Sequence, residues 1–401
     1  MINFKDLADK YQTPLYIYDF NEITSQYESL KLAFKARKAI LAYAIKSNSN
    51  LSVVQHLASL GAGADCVSIG EVRRALLAGI APYKIIFSGV GKQDSEIKEA
   101  LEADILFINL ESDAELGRVE MIAKELNIKA RISVRVNPNI DPKTHPYIST
   151  GLHGNKFGVD LNTAKRMYLK AKNSDNLDPV GIHFHIGSQL TELEPIREAS
   201  VIVSDLVRTL QAVDIKLKFF DVGGGLGVTY DNEVTIDPSE YAQAILGTLN
   251  GLDMTVMCEP GRFLTANAGH FLTRVMYEKQ NDEKRFVVVD GAMNDLLRPA
   301  LYSAYHKIEA VDNDGETSLA DIVGPVCESG DFFAKDREFP DFKHNDLIVV
   351  HSAGAYGFGM GSNYNTRGRS AEVAIEDGKD RLIRKRETFE DLIALEKELM
   401  N

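Results

Sequence analysis

The sequence predicts an α/β (β/α)8 barrel joined to an all-β domain, and three observations carry that prediction. Between about residues 30 and 270, eight short apolar runs alternate with stretches whose apolar residues recur at helical spacing. A polar or glycine residue stands at or just past the end of each run. Beyond about residue 270, short alternating strands separated by turn clusters replace the helical pattern. On element count alone, a doubly wound open sheet is also compatible.

The strand candidates are Ile40–Ile45, Ala64–Val67, Ile85–Phe87, Leu106–Ile108, Ile132–Val136, Val180–Ile186, Phe219–Val222 and Thr255–Cys258. Stretches such as Gly70–Ala78 and Asp94–Leu101 read as the helices between them. Lys46, Asp65, Ser88, Asn109, Asn137, His185, the glycines at 223–225 and Glu259 close the eight runs. In a barrel those ends share one face, and that face is where chemistry is done. The later strand candidates are Gly269–Tyr277, Arg285–Val289, Leu319–Val323 and Asp346–His351, and Pro14–Tyr18 is a candidate to pair with them. The expected domains are therefore 30–272 for the barrel, and 1–29 with 273–401 for the β domain.

Composition narrows the function. The 401-residue chain carries a net charge of −13, which argues against nucleic acid or an anionic membrane as its main partner. Its three cysteines, Cys66, Cys258 and Cys327, are far apart and form no CxxC pair, so neither a disulfide framework nor a structural zinc site is expected. No secretory signal and no apolar run of about 20 residues is visible, so the expectation is a cytoplasmic protein without a membrane span.

Lys46 is the most informative residue. It follows the strand former run Ala42-Tyr43-Ala44-Ile45 and precedes a Ser-Asn turn. A lysine amine is nucleophilic when unprotonated, partial burial favours that form, and such an amine anchors carbonyl cofactors. The bland alternative is a lysine snorkelling at a strand end. Asp221-Val222-Gly223-Gly224-Gly225 fits an anion held by backbone N–H groups, or a tight turn at the barrel rim. Glu259-Pro260-Gly261-Arg262 offers a carboxylate for a ring nitrogen and a guanidinium fork for a carboxylate, or simply a local ion pair. His183 and His185, two apart, are expected on one strand face; zinc is one reading, without an evident third ligand, and stacking on an aromatic cofactor is another. Cys327-Glu328 reads as a proton donor beside a carboxylate, or as an inert thiol. Arg298 and Tyr302 would share a helix face, and Tyr356 sits in a glycine turn.

Taken in order, these segments resemble the fold-type III pyridoxal-phosphate-dependent decarboxylases over nearly the whole chain. The match runs through Tyr43-Ala44-Ile45-Lys46-Ser47-Asn48, His183–Ser188, Gly223–Gly225, Glu259–Arg262, Cys327–Asp331 and Gly354–Gly357. Ser149-Thr150-Gly151 with Asn155-Lys156-Phe157-Gly158 is similar to a loop of the branch that acts on diaminopimelate. The resemblance implies pyridoxal phosphate as cofactor. Lys46 would carry it as a Schiff base, His185 would stack on its ring, and Ser188 with Gly223, Gly224, Gly225, Gly261 and Arg262 would hold its phosphate. Glu259 would pair with the ring nitrogen, Asp65 would stand behind the cofactor, and Tyr356 would touch it.

For the substrate, the resemblance implies meso-diaminopimelate, decarboxylated to L-lysine and CO2 as the last step of lysine biosynthesis by the diaminopimelate route. Arg262, Arg298, Tyr302, Glu328 and Tyr356 would hold it, and Cys327 would be the proton donor. No metal is implied. The family is homodimeric with shared active sites, Cys327 and Glu328 coming from the partner chain. Related decarboxylases acting on carboxynorspermidine, ornithine or arginine are the near rivals; an alanine racemase-like enzyme and a non-catalytic cofactor carrier are more distant ones.

Overall fold

The computed structural model describes residues 2–141 and 156–400. Its contacts divide the chain into two units, one of Thr24–Val228 and Val234–Phe263, the other of Met1–Ile23, Thr229–Glu233 and Leu264–Asn401. The dividing points fall several residues before the expected 29/30 and 272/273. The long strand that opens the second sheet already begins at Gly269, and the short insert Thr229–Glu233 was not foreseen.

Of these two units the second holds strand β1 (Leu15–Asp19), at an inner position of its sheet. The first is a closed parallel barrel of β2 (Ala39–Ala44), β3 (Gly63–Cys66), β4 (Ile85–Phe87), β5 (Phe107–Leu110), β6 (Ala130–Arg135), β7 (Leu177–His183), β8 (Phe219–Asp221) and β9 (Thr255–Cys258). β9 closes on β2 in parallel, with Ile40 opposite Met257. Parallel strands covered on both faces are rich in apolar residues, and here Ala42, Ile86, Phe107, Val180 and Met257 join one buried cluster. The intervening helices carry ordinary start signals. Ser68 accepts from the N–H of Glu71, Ser112 from that of Glu115 and Asp160 from those of Asn162 and Thr163. The closed barrel removes the open-sheet alternative.

The other unit is a nine-stranded sheet that adds β10 (Gly269–Gln280), β11 (Arg285–Val289), β12 (Ile308–Ala310), β13 (Thr317–Val323), β14 (Phe332–Pro340), β15 (Leu347–Val350), β16 (Ala371–Glu376) and β17 (Lys379–Arg384). The main order is β14-β13-β11-β10-β1-β16-β17, with β15 pairing β10 and β12. β1 pairs antiparallel to β10 and parallel to β16, so the expected link between Pro14–Tyr18 and the late strands is present. Leu15 and Ile17 are sealed in a cluster with Leu7, Leu272, Val349 and Val373.

Candidate active site

Within the barrel, the C-terminal strand ends gather a set of buried charges. Lys46 follows β2 in a single 3-10 turn, and its Nζ lies 3.1 Å from Asp65 Oδ2 on β3. The Lys46 side chain is 40% exposed, whereas Asp65 is 0% exposed. The Lys46 side chain is thus partly covered, and its amine faces a fully buried carboxylate. Burial pushes the Asp65 carboxyl up, Glu259 adds to this, and the Lys46 charge opposes both. Asp65 Oδ1 is buried without a hydrogen-bond partner among the described residues.

Glu259 follows β9 and faces β7, with its Oε1 3.4 Å from His183 Nε2. Burial alone would raise its carboxyl, but His183, Lys46 and His185 outweigh that and hold it well below the usual carboxylate range. Asp221, at the end of β8, goes the other way. Burial pushes its carboxyl well up, and the neighbouring Glu259 pushes it further. Asp221 Oδ1 accepts the Gly223 N–H at 3.0 Å. The two neighbouring carboxyls are thus pushed in opposite directions, Glu259 down and Asp221 up, as happens when two acids share one buried site.

His183, Asp221 and Glu259 bring their polar atoms within 4.8 Å of one another. No third ligand is evident near the paired histidines in the sequence; the barrel brings two carboxyls beside His183. The pair itself does not share a strand face, because β7 ends at His183 and His185 lies in the turn beyond it. Burial pushes the half-buried His185 imidazole down to about 3, with Arg135 and Lys46 contributing, so the ring is neutral.

The glycine run is shaped by contact as well as by any ligand. Gly223 has φ +67° and Gly225 φ +115°. A Cβ at Gly223 would lie 2.7 Å from the Phe184 carbonyl oxygen and 2.9 Å from His185 Nδ1, and one at Gly225 would lie 2.3 Å from the Gly187 carbonyl oxygen. Only glycine suits either place. A Cβ at Gly261 would crowd Ala44 and Ser47 beside Lys46. Arg262 is buried and Ser188 half-buried.

A pair unremarked in the sequence supports this face. Arg135 at the end of β6 bridges Glu111 after β5, with Nη1 to Oε1 at 3.1 Å, both side chains nearly fully buried. Glu111 Oε2 accepts the Gly158 N–H at 2.9 Å, and Arg135 lies over the Phe157 ring. Of the loop that resembles the diaminopimelate branch, only Lys156, Phe157 and Gly158 are described; Ser149, Thr150, Gly151 and Asn155 lie outside the described residues.

In the sheet unit, Arg298 and Tyr302 share the short helix Arg298–Tyr302, with Arg298 buried and Tyr302 half-buried. Cys327 is exposed, and its N–H donates to Asn365 Oδ1 at 2.8 Å. Its loop winds around Asp331, whose carboxylate accepts from the N–H groups of Met293 and Val326, each at 2.7 Å. Glu328 is exposed, and Tyr356 adopts φ +57° in its turn.

A family profile, pyridoxal-dependent decarboxylase, pyridoxal binding domain, matches residues 20–266, and the chain belongs to this family. It is 60% identical over 400 residues to a diaminopimelate decarboxylase of Campylobacter jejuni, covering 100% of both chains. It is 55% identical over 398 residues to one of Helicobacter pylori, covering 99% of this chain and 98% of that one. The crystal structure of diaminopimelate decarboxylase from Helicobacter pylori complexed with L-lysine superimposes with a TM-score of 0.97 at 55% identity, covering 99% of this chain and 100% of that one.

Proposed function

We propose that this protein decarboxylates meso-2,6-diaminopimelate to L-lysine and CO2, the last step of lysine formation by the diaminopimelate route. The single observation that carries this is full-length identity of 60% to a diaminopimelate decarboxylase. The barrel residues suit pyridoxal phosphate. An ionised, buried Glu259 fits a protonated ring nitrogen, a neutral His185 suits an aromatic face, and side-chain-free backbone at Gly223 and Gly225 suits a phosphate.

When bound, pyridoxal phosphate supplies an electron sink for the pair left at the substrate α-carbon as CO2 departs. Lys46 would hold the cofactor through its amine, with Asp65 as the partner that keeps that amine in place while the substrate amine has displaced it. Glu259 would keep a proton on the ring nitrogen, which strengthens the sink. Ser188 and the backbone at Gly223, Gly224, Gly225, Gly261 and Arg262 would hold the phosphate. Cys327 would deliver a proton to the α-carbon. The far end of the substrate carries one carboxylate and one ammonium; Arg262 and Arg298 match the first, Glu328 the second, with Tyr302 and Tyr356 beside them.

The working form is a homodimer in the cytoplasm, with Cys327 and Glu328 acting in the partner's site. The three described cysteines are all unpaired, as a reducing compartment allows, and no described helix is long and apolar enough to cross a membrane. The test is CO2 release by the purified holoenzyme from meso-diaminopimelate, ornithine and arginine offered separately. Release from the first alone is expected; release from the other two but not the first would overturn the substrate assignment.

A further inference from the structure

We propose that His306 and Tyr230 are positioning residues that fix the Arg298 guanidinium in one orientation, and thereby set how tightly a substrate bearing a second carboxylate is held. The inference rests on the reading of Arg298 as a substrate ligand given above, and extends it to two residues that the sequence did not single out.

The geometry is specific. His306 is fully buried. Its Nδ1 lies 2.9 Å from the backbone carbonyl oxygen of His351. A carbonyl only accepts, so the ring proton belongs on Nδ1 and Nε2 is left as an acceptor. Arg298 Nε, which only donates, lies 3.3 Å from that Nε2. The flat face of the same guanidinium lies over Tyr230, with Cζ 4.9 Å from the ring centroid. Tyr230 in turn meets His306 edge-on, centroids 5.5 Å apart and planes at 83°. The backbone carbonyl of His306 accepts from Arg337 Nη1 on β14 at 2.8 Å, which ties the histidine to the sheet.

One edge and one face of the guanidinium are thus each fixed by a ring. The two Nη groups form the end that matches a carboxylate as a fork. A long arginine that is already oriented loses less freedom when a ligand arrives, so the gain appears in binding rather than in the chemical step. Tyr230 reaches this place because Thr229–Glu233 joins the sheet unit although its flanking residues belong to the barrel.

The test is steady-state kinetics of full-length holoenzyme on meso-diaminopimelate for His306→Leu, Tyr230→Leu, Tyr230→Phe, Arg298→Ala and the pair His306→Leu with Arg298→Ala. His306→Leu and Tyr230→Leu should each raise KM about tenfold with kcat within about twofold, the pattern of lost uniform binding. Tyr230→Phe keeps the ring face and should stay within about twofold of the parent in both constants, so the proposal stays testable should His306→Leu fold poorly. The double variant should be no worse than Arg298→Ala alone, because His306 acts through Arg298. If Arg298→Ala raises KM but the double variant is worse by the full His306 factor, or Tyr230→Leu matches the parent, the positioning proposal is overturned while Arg298 stands as a substrate ligand. If Arg298→Ala leaves KM unchanged, the reading of Arg298 falls and this inference falls with it.

Discussion

His183 Nε2 and Glu259 Oε1 face each other 3.4 Å apart, and neither side chain is more than 5% exposed. The Glu259 carboxyl is held down because His183, Lys46 and His185 outweigh its burial, while burial and Glu259 push the Asp221 carboxyl beside it up. Glu259→Gln keeps the shape and removes the charge. It should lower kcat by about a hundredfold or more, the usual scale for losing one preorganised electrostatic group. Because the parent carboxyl is held well below its ordinary range, no acid limb between pH 5 and 7 should trace to it. A pH–rate profile of the parent and a kcat for the variant check both statements; a variant with parental turnover would remove Glu259 from the site.

Lys46 and Cys327 are expected to serve one site from two chains. Lys46→Ala should bind pyridoxal phosphate without the absorbance of a lysine-linked cofactor and should lose nearly all turnover. Cys327→Ala should keep that absorbance and lose about 10²–10⁴ in kcat, the range for a missing general acid. Unfolding and refolding the two inactive variants together should restore up to about a quarter of parental activity, since random pairing gives half heterodimers with one intact site of two. Recovery of none would argue against shared sites.

Asp295 should make the stability of the sheet unit depend on pH. Its carboxylate accepts from the Ser370 hydroxyl at 2.9 Å and the Ala292 N–H at 3.0 Å, yet burial pushes it up to about 6 against those partners and Arg367. The folded chain therefore holds a proton that the unfolded chain, with an aspartate near its ordinary value of about 4, releases. The stabilising contribution is complete below pH 4 and is lost as pH rises through 6. Asp295→Asn cannot lose a proton. The Tm of this variant minus that of the parent should therefore climb between pH 4 and 7, whatever its offset. A flat or falling difference would show that Asp295 is not the titrating group.

The buried pair Glu111 and Arg135 should be costly to break. Glu111→Leu would leave a buried guanidinium without its carboxylate and the Gly158 N–H without its acceptor. A loss of about 3–5 kcal/mol is expected, the usual range for removing one partner of a buried ion pair. Urea unfolding measures it, and a loss under about 1 kcal/mol would mean that water reaches the pair.

The barrel was legible because its strands are covered on both faces, so most read as short apolar runs with a polar residue at the end, as in Ile85–Phe87 before Ser88. β14 was not legible. Its centre, Lys335-Asp336-Arg337-Glu338, is charged and interrupts the apolar signal. The helix Phe20–Ala33 was passed over because its periodic pattern is weak amid polar residues. At the site, Lys46 and Glu259 carried their meaning in local motifs. Asp221 did not, because a carboxyl at the head of a glycine turn gains significance only when β7 and β9 bring His183 and Glu259 beside it. Tyr230 and His306 were invisible for the same reason, because they are far apart in sequence and meet Arg298 and each other only once the chain has folded.

β1 occupies an inner position of its sheet, between one strand that starts at Gly269 and another that starts at Ala371. On the ribosome, the edge of β1 must therefore wait, unsatisfied, while the entire barrel is translated, and its second neighbour emerges only near the close of synthesis. Barrel residues can meet their partners early, whereas this sheet is a late, long-range closure of the kind that slows folding and exposes chains to misassembly. Shortening the chain before residue 371 would thus harm more than its tail: it would strip one flank from a strand laid down among the first twenty residues.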